Sequence, residues 1–122
     1  MRSLRVFYGN GNNFTRVPKE LGQLAVLEKL NLADNKIQGT IPDEYARGML
    51  ELRELDLSSN AVSGSIPVEF YRLQRLQNLR LNSNSLTGLI PAELGLMMEL
   101  EQIEVSHVRI RTDNLIEQQR VI

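Results

Sequence analysis

The sequence predicts an α/β repeat fold in which about five similar units stack into one solenoid. Three observations support this prediction. A sixteen-position motif recurs along the chain, its leucines alternate in the way that a β-strand requires, and each complete copy ends in a Gly-x-Ile-Pro segment. The chain has 122 residues, which is enough for one small domain.

The motif reads L-x-x-L-x-L-x-x-N-x-L-x-G-x-I-P, where the last L stands for any aliphatic residue, and its complete copies begin at Leu27, Leu52 and Leu76. Poorer copies begin at Leu4 and Leu100, so successive starts lie 23 to 25 residues apart. A period of this length is typical of solenoid repeats, whose end copies are usually atypical because one side faces solvent or a cap. We therefore expect a single domain over residues 1–122, with a degenerate C-terminal end at 111–122.

Each copy is predicted to begin with a short strand. In Leu30-Asn31-Leu32 the two leucines point to one face, and the asparagine between them points to the other. Stacked copies therefore form a parallel sheet with strands ~4.8 Å apart and with the leucines inward. An asparagine follows each strand, at Asn35, Asn60 and Asn84, where its amide can bind backbone groups of adjacent turns. We call these three residues the asparagine ladder.

The segment after each Gly-x-Ile-Pro is predicted to form a short helical turn on the side opposite the sheet. Glycine allows a positive φ or a close backbone approach, and proline is favoured at the first position of a helix. An apolar side chain stands three residues after the proline in each copy, and we expect it in the core. These side chains are Leu21, Tyr45, Phe70 and Leu94.

The composition argues against several classes of function. Fourteen Lys plus Arg and fifteen Asp plus Glu give a formal charge of −1, so the chain has no basic field for nucleic acid or for an anionic membrane surface. No apolar stretch approaches the ~20 residues of a membrane-spanning helix, so no direct membrane insertion is expected. There is no cysteine and only one histidine, His107, so we expect no cofactor, no metal site and no catalytic site.

The three complete copies resemble the plant-type leucine-rich repeat, the class found in ectodomains of receptor-like kinases, in receptor-like proteins and in polygalacturonase-inhibitor-like proteins. The resemblance covers about residues 4–110. It implies a right-handed leucine-rich-repeat solenoid with a parallel concave sheet and with short helical or 3-10 turns on its convex side. Proteins of this class commonly carry paired cysteines in their caps. Because this chain has none, it resembles a piece of a longer solenoid or a cysteine-free variant.

The exposed side of the predicted sheet, which we call the concave face, is the first candidate binding surface. Its side chains form two columns of mixed charge along the strands. The candidates are Tyr8, Lys29, Asn31, Glu54, Asp56, Asn78, Arg80, Gln102 and Glu104. Neighbouring charges of opposite sign can pair with each other, each exposed pair contributing ~0–1 kcal/mol, or they can contact a ligand. The sequence leaves both interpretations open.

The resemblance implies non-catalytic recognition of a protein or peptide ligand, or of a glycan, and no enzyme activity. It also implies an extracellular or membrane-anchored parent protein with further repeats or other domains. This chain shows no targeting signal, so a cytosolic location stays open. The alternatives are a secreted enzyme inhibitor of the polygalacturonase-inhibitor kind, a cytosolic scaffold and, from a different class, a purely structural spacer.

One sequence motif suggests a covalent modification. Asn13-Phe14-Thr15 is an acceptor sequence for N-glycosylation, in a segment that we expect to be an exposed turn. Modification of Asn13 requires that the chain enter the secretory pathway. A chance occurrence of the three residues explains the motif equally well.

Overall fold

The computed structural model describes residues 3–88, 90–106 and 108–111. The strands in these ranges are β1 (Val6–Tyr8), β2 (Lys29–Asn31), β3 (Gln38–Thr40), β4 (Glu54–Asp56), β5 (Ala61–Gly64), β6 (Asn78–Asn82), β7 (Ser85–Leu86), β8 (Gln102–Ser106) and β9 (Val108–Arg111). The helical segments are 3-10 turns at Lys19–Gln23, Val68–Arg72 and Ala92–Leu96, and one α-helix, α1, at Glu44–Gly48. Each complete copy thus contributes two strands and one helical turn.

One strand from each of the first four copies and two from the fifth form a long sheet, whose order is β1-β2-β4-β6-β8-β9. The strands from β1 to β8 are parallel, and their register pairs Leu30 with Leu55, Leu55 with Leu79, and Leu79 with Ile103. All four of these inward side chains are buried. The predicted parallel sheet is therefore confirmed, and the Leu-x-Leu alternation decides which side chains point outward.

The helical turns of successive copies pack against one another and complete the core. Tyr45, Phe70 and Leu94 are fully buried, as predicted, whereas Leu21 in the first copy is only partly buried against the core. The second copy is the longest and forms an α-helix where the others form 3-10 turns. None of the helices in the described ranges has the length and the hydropathy that crossing a membrane requires.

Tyr45 is the largest side chain of the core, and its hydroxyl finds a partner in the preceding copy. The hydroxyl donates a hydrogen bond to the carbonyl oxygen of Pro18 at 2.8 Å. Burial, together with the nearby carboxylates of Glu20 and Glu44, raises the pKa of the Tyr45 hydroxyl above its ordinary range. The group therefore stays protonated and remains a hydrogen-bond donor, which a buried tyrosine needs.

A second parallel sheet, which the sequence did not predict, is formed by β3, β5 and β7 in that order. Gly39, Gly64 and Gly88 have φ angles of 90°, 80° and 92°, so the predicted positive φ is confirmed at each of them. The sheet was missed because its strands lack the Leu-x-Leu alternation that predicts the long sheet, and two of them contain glycine, which is depleted in strands. Such segments carry too little alternation to be recognised.

The fifth copy departs from the repeat after its strand. The resemblance implied another turn up to about residue 110, but β9 pairs antiparallel with β8, with Val105 opposite Val108 and Gln102 opposite Arg111. Val108 stands where the ladder asparagine is required, and the alternating Val-Arg-Ile-Arg sequence of β9 favours a strand. The chain therefore folds back along the edge of the long sheet. His107 and residues 112–122, which include most of the predicted degenerate end, lie outside the described residues.

Candidate binding face

The asparagine ladder holds the turns at which strands of the long sheet end. The Asn60 Nδ2 donates hydrogen bonds to the carbonyl oxygens of Leu32, Leu57 and Ser58 at 3.0, 3.1 and 3.1 Å. Its Oδ1 accepts a hydrogen bond from the Ile37 N–H at 3.0 Å. One amide therefore satisfies four backbone groups on two adjacent copies, at a bend where the chain leaves the sheet and its ladder of hydrogen bonds.

The other ladder residues make equivalent contacts. The Asn84 Oδ1 accepts a hydrogen bond from the Val62 N–H at 2.9 Å. The Asn35 Oδ1 accepts hydrogen bonds from two N–H groups of the first copy, those of Asn12 and Phe14, each at 3.1 Å. The ladder thus crosses from copy to copy, and its amides are occupied by the backbone rather than offered to a ligand.

The concave face is the outward side of the long sheet, and its side chains stand in two columns. The strand register places each candidate opposite its counterpart in the next strand. One column contains Lys29, Glu54, Asn78 and Gln102, and the other contains Tyr8, Asn31, Asp56, Arg80 and Glu104. The register therefore brings these nine residues onto one face.

A shallow depression of about 160 Å³ lies in the concave face. Seven of the nine candidates line it, namely Tyr8, Lys29, Asn31, Glu54, Asp56, Asn78 and Arg80. Gln102 and Glu104, on β8, do not. Asn10 also lines the depression, and it was not among the nine candidates because it lies in the next exposed column, just after the end of β1. The depression thus combines two basic, two acidic, three amide and one aromatic side chain.

The charged side chains of the depression form long ion pairs. The Lys29 Nζ lies 3.8 Å from a carboxylate oxygen of Glu54, and a terminal nitrogen of Arg80 lies 3.9 Å from Asp56. The Lys29 and Arg80 side chains are 42% and 53% exposed. Hydrogen-bonded ion pairs are shorter, at ~2.7–2.9 Å. These pairs are therefore Coulombic contacts in water, and each stabilises the fold by ~0–1 kcal/mol.

Outside the concave face, three of the four described ion pairs are closer, and the fourth, between Arg53 and Glu28, is 3.8 Å long. Arg5 and Glu28 are joined at 2.7 Å, and Arg75 and Glu51 at 3.0 Å. These cations are similarly exposed, so exposure alone does not explain the longer separations on the concave face. A long ion pair of this kind leaves its cation more accessible to another anion than a hydrogen-bonded pair does.

Asp56 has a structural contact as well as a charged one. One of its carboxylate oxygens accepts hydrogen bonds from the N–H and the hydroxyl of Ser58 at 2.9 and 2.6 Å, which fixes the turn after β4. Asn31 makes a similar bond to the N–H of Ala33 at 2.9 Å. In the part of the chain that the structure describes, no three His, Cys, Asp or Glu side chains are grouped as metal ligands.

Asn13 lies in the exposed segment after β1. The N–H groups of its two neighbours, Asn12 and Phe14, both donate to the Asn35 side chain, so the backbone on either side of Asn13 is held. Phe14 and Thr15, the other residues of the acceptor sequence, are also exposed. The whole motif is therefore accessible in the folded chain.

Each copy contributes a strand to the long parallel sheet, an asparagine follows the strand in the complete copies, and a short helical turn lies on the opposite side. These features define a class of protein, the leucine-rich-repeat solenoid. A family model described as "Leucine rich repeat" matches residues 26–86, half of the chain. The chain belongs to the leucine-rich-repeat family.

Solved structures of plant receptors are similar to this chain. The plant peptide hormone receptor RGFR1, in complex with RGF2, is 38% identical over 86% of the chain with a TM-score of 0.82. The ectodomain of the receptor kinase GASSHO1/SCHENGEN3 from Arabidopsis thaliana is 31% identical over 87%, with a TM-score of 0.76. The ectodomain of the Arabidopsis receptor kinase HAESA, in complex with an IDA peptide hormone ligand, is 34% identical over 82%, with a TM-score of 0.78.

These matches confirm the plant-type subclass of the repeat. The chain spans only 17%, 16% and 17% of the lengths of RGFR1, GASSHO1/SCHENGEN3 and HAESA, respectively. No curated protein sequence matches the chain.

Proposed function

We propose that the chain is a non-catalytic recognition module whose concave face binds a peptide or protein ligand. The observation that carries the proposal is the depression, where basic, acidic, amide and aromatic side chains converge and where the ion pairs are too long to be hydrogen-bonded. Two of the similar receptors, RGFR1 and HAESA, are peptide hormone receptors seen with their ligands, which supports a peptide as the ligand here.

The dimensions of the sheet favour an extended peptide over a globular partner. Five parallel strands at ~4.8 Å spacing span only ~20 Å. A stable interface between globular proteins takes ~800 Å² from each partner, which is more than this strip offers. A peptide laid across the strands needs less surface, and further repeats of a parent protein would lengthen the contact.

We also propose that the parent protein is extracellular, with further repeats or other domains. The similar structures include receptor ectodomains, and the chain spans about one sixth of their length, which supports this proposal. An extracellular chain passes through the secretory pathway, so Asn13 becomes available for N-glycosylation.

Secretion from insect cells behind a heterologous signal peptide tests the modification of Asn13. We expect intact-mass measurement to show one glycan, which glycosidase treatment removes. Asn13→Gln and Thr15→Ala should each abolish it, whereas Asn12→Gln, beside the acceptor sequence, should leave it in place. A secreted chain with no glycan would contradict the assignment of Asn13.

Selection from a random peptide library on the purified chain tests the binding function. We expect peptides that lose about tenfold in affinity or more when Arg80→Glu reverses one charge of the depression. Arg75→Glu is the matched control, because it makes the same change in an exposed arginine outside the concave face. Isothermal titration calorimetry with the selected peptides measures both variants.

Two outcomes would count against the proposed function. One is a failure to select any peptide with the intact, folded chain. The other is a set of selected peptides whose affinity falls with Arg75→Glu but not with Arg80→Glu or Lys29→Glu, which would place the binding surface elsewhere.

A further inference from the structure

The charges of the concave face alternate in sign across three neighbouring strands. Lys29 on β2 lies opposite Glu54 on β4, and Asp56 on β4 lies opposite Arg80 on β6. Two carboxylates on the middle strand are thus flanked by one cation on each side. We infer that the concave face binds an extended peptide in which two acidic residues flank a basic one. This inference rests on the proposed function and specifies the ligand for the same face.

Neither cation is hydrogen-bonded to its neighbouring carboxylate on β4. Their separations from the neighbouring carboxylates, 3.8 Å for Lys29 and 3.9 Å for Arg80, exceed hydrogen-bond distance. A ligand carboxylate can therefore approach either cation without first breaking a hydrogen bond between these partners. When the protein's own cations turn away, the single ligand cation between Glu54 and Asp56 offsets one of the two carboxylate charges on the middle strand.

The spacing of the two cations sets the spacing of the acidic residues in the ligand. Lys29 and Arg80 are two strands apart, ~9.6 Å, and two residues apart along the strand direction, ~6.7 Å, so their Cα atoms lie ~12 Å apart. In an extended peptide, residues i and i+4 lie ~13 Å apart and point to the same side as residue i+2. Flexible lysine and arginine side chains absorb the small difference. The pattern is therefore acidic at i, basic at i+2 and acidic at i+4.

Lys29, Asn31, Asn78 and Arg80 form the corners of a rectangular patch on β2 and β6, and their charges decide along which diagonal the peptide lies. Asn31 lies on β2 and Asn78 on β6, so the second diagonal of the same rectangle carries amides instead of charges. A charged peptide is thus attracted along the diagonal from Lys29 to Arg80 and not along the other. Amide side chains beside this path suit the polar backbone of an extended peptide.

A patterned peptide library tests this inference. Short peptides with Asp, Lys or Ala at five successive positions are displayed in many copies per phage, so that weak contacts add up. We expect Asp-x-Lys-x-Asp patterns to be enriched about tenfold over Lys-x-Asp-x-Lys patterns, which place like charges together. The enrichment should disappear at high salt because the contacts are exposed.

Charge reversal supplies a gain of binding as well as a loss. The double variant Lys29→Glu and Arg80→Glu makes the patch wholly acidic, so we expect it to lose the Asp-x-Lys-x-Asp peptides and to select lysine-rich ones instead. Arg75→Glu should keep the original preference. Thermal unfolding of each variant verifies that the chain is folded before the selections are compared.

The outcomes separate this inference from the proposed function. Equal enrichment of the two opposite patterns, or an unchanged preference in the double variant, overturns the inference. If random peptides bind the face and lose affinity with Arg80→Glu without carrying the pattern, the proposed function stands and the inference is wrong. If neither library yields a binding peptide, both are contradicted.

Discussion

The asparagine ladder and the concave face belong to the same copies of the solenoid, but the ladder residues are identical from copy to copy and the concave residues differ. The ladder has one residue type in every complete copy, at positions 35, 60 and 84. Four positions earlier, the concave face has a different residue in each copy, Asn31, Asp56 and Arg80. Each set recurs at the same position of a backbone that is alike in all three copies. The backbone conformation alone therefore does not explain why one set is constant and the other varies.

The direction of the side chains explains it. Each ladder amide points into the turn, where it satisfies backbone donors and acceptors that are the same in every copy, so the same side chain is required each time. The concave side chains stand on the outward side of the sheet, and those that bond backbone, such as Asn31 and Asp56, reach only an N–H of their own turn. Repetition within one chain therefore marks positions with a structural requirement, and variation marks positions that can be used for recognition.

The largest expected effect tests an exception to this rule. Gly48, at the end of α1, occurs in one copy only, yet a Cβ built there would overlap the carbonyl oxygen of Gly22 in the preceding helical turn. The oxygen belongs to backbone and the Cβ position is fixed by backbone, so no flexible side chain can give way. We expect Gly48→Ala to lower the free energy of unfolding by about 3 kcal/mol or more. Chemical denaturation followed by circular dichroism measures the change.

Gly39→Ala is the matched control for this substitution. Gly39 has a φ of 90°, but a Cβ there would meet nothing within 4 Å. The control therefore costs only backbone strain, about 1–2 kcal/mol. If Gly48→Ala were no more harmful than Gly39→Ala, the close approach of the two helical turns would not constrain the fold.

The next effect tests the ladder itself. Asn60→Leu leaves the Ile37 N–H without its partner and removes one hydrogen bond from each of three carbonyl oxygens that keep another donor. A buried group left unsatisfied costs about 1–3 kcal/mol. Relaxation and water entry will recover part of this loss. We expect a loss of about 2–3 kcal/mol and a melting temperature lower by about 10 °C. Differential scanning calorimetry measures both quantities.

Asn78→Leu makes the same chemical change on the concave face. Because Asn78 points outward from β6, we expect its replacement to change the free energy of unfolding by no more than about 0.5 kcal/mol. Equal melting temperatures for the two leucine variants would contradict this distinction, since the ladder would then contribute no more to stability than the concave face does.

Repetition also decides how much of the fold the sequence could predict. Leu30 and Leu32 recur with their neighbours in three copies, so the long sheet, its inward face and the position of the ladder followed from the pattern. The burial of Tyr45 and Phe70 followed from their equivalent place after proline. The register of the concave face could be predicted for the same reason, because equivalent residues of successive copies lie opposite each other in the sheet.

What the pattern could not predict depends on contacts that do not repeat. The second sheet was missed because a strand such as Gln38–Thr40 contains no apolar side chain and therefore shows no alternation. The reversal at β9 begins where the ladder asparagine is replaced by Val108, and a missing residue does not say which alternative structure follows. The 3.8 and 3.9 Å separations of Lys29 and Arg80 from their partners likewise depend on side-chain positions that a column of residue types does not contain.

The smallest expected effect concerns a charge of the concave face. Arg80→Glu places a third carboxylate beside Asp56 and Glu104, its neighbours on the adjacent strands. Since the side chain is half exposed, water and salt screen the repulsion, and we expect a loss of no more than about 1 kcal/mol.

Arg80→Gln removes the ion pair without adding repulsion and should cost less. Urea denaturation at low and at high salt separates the two contributions, because the difference between the variants should shrink as salt is added. If Arg80→Glu instead destabilised the chain as much as Asn60→Leu does, at both salt concentrations, the concave face would have a structural role like that of the ladder, and its variation between copies would no longer indicate recognition.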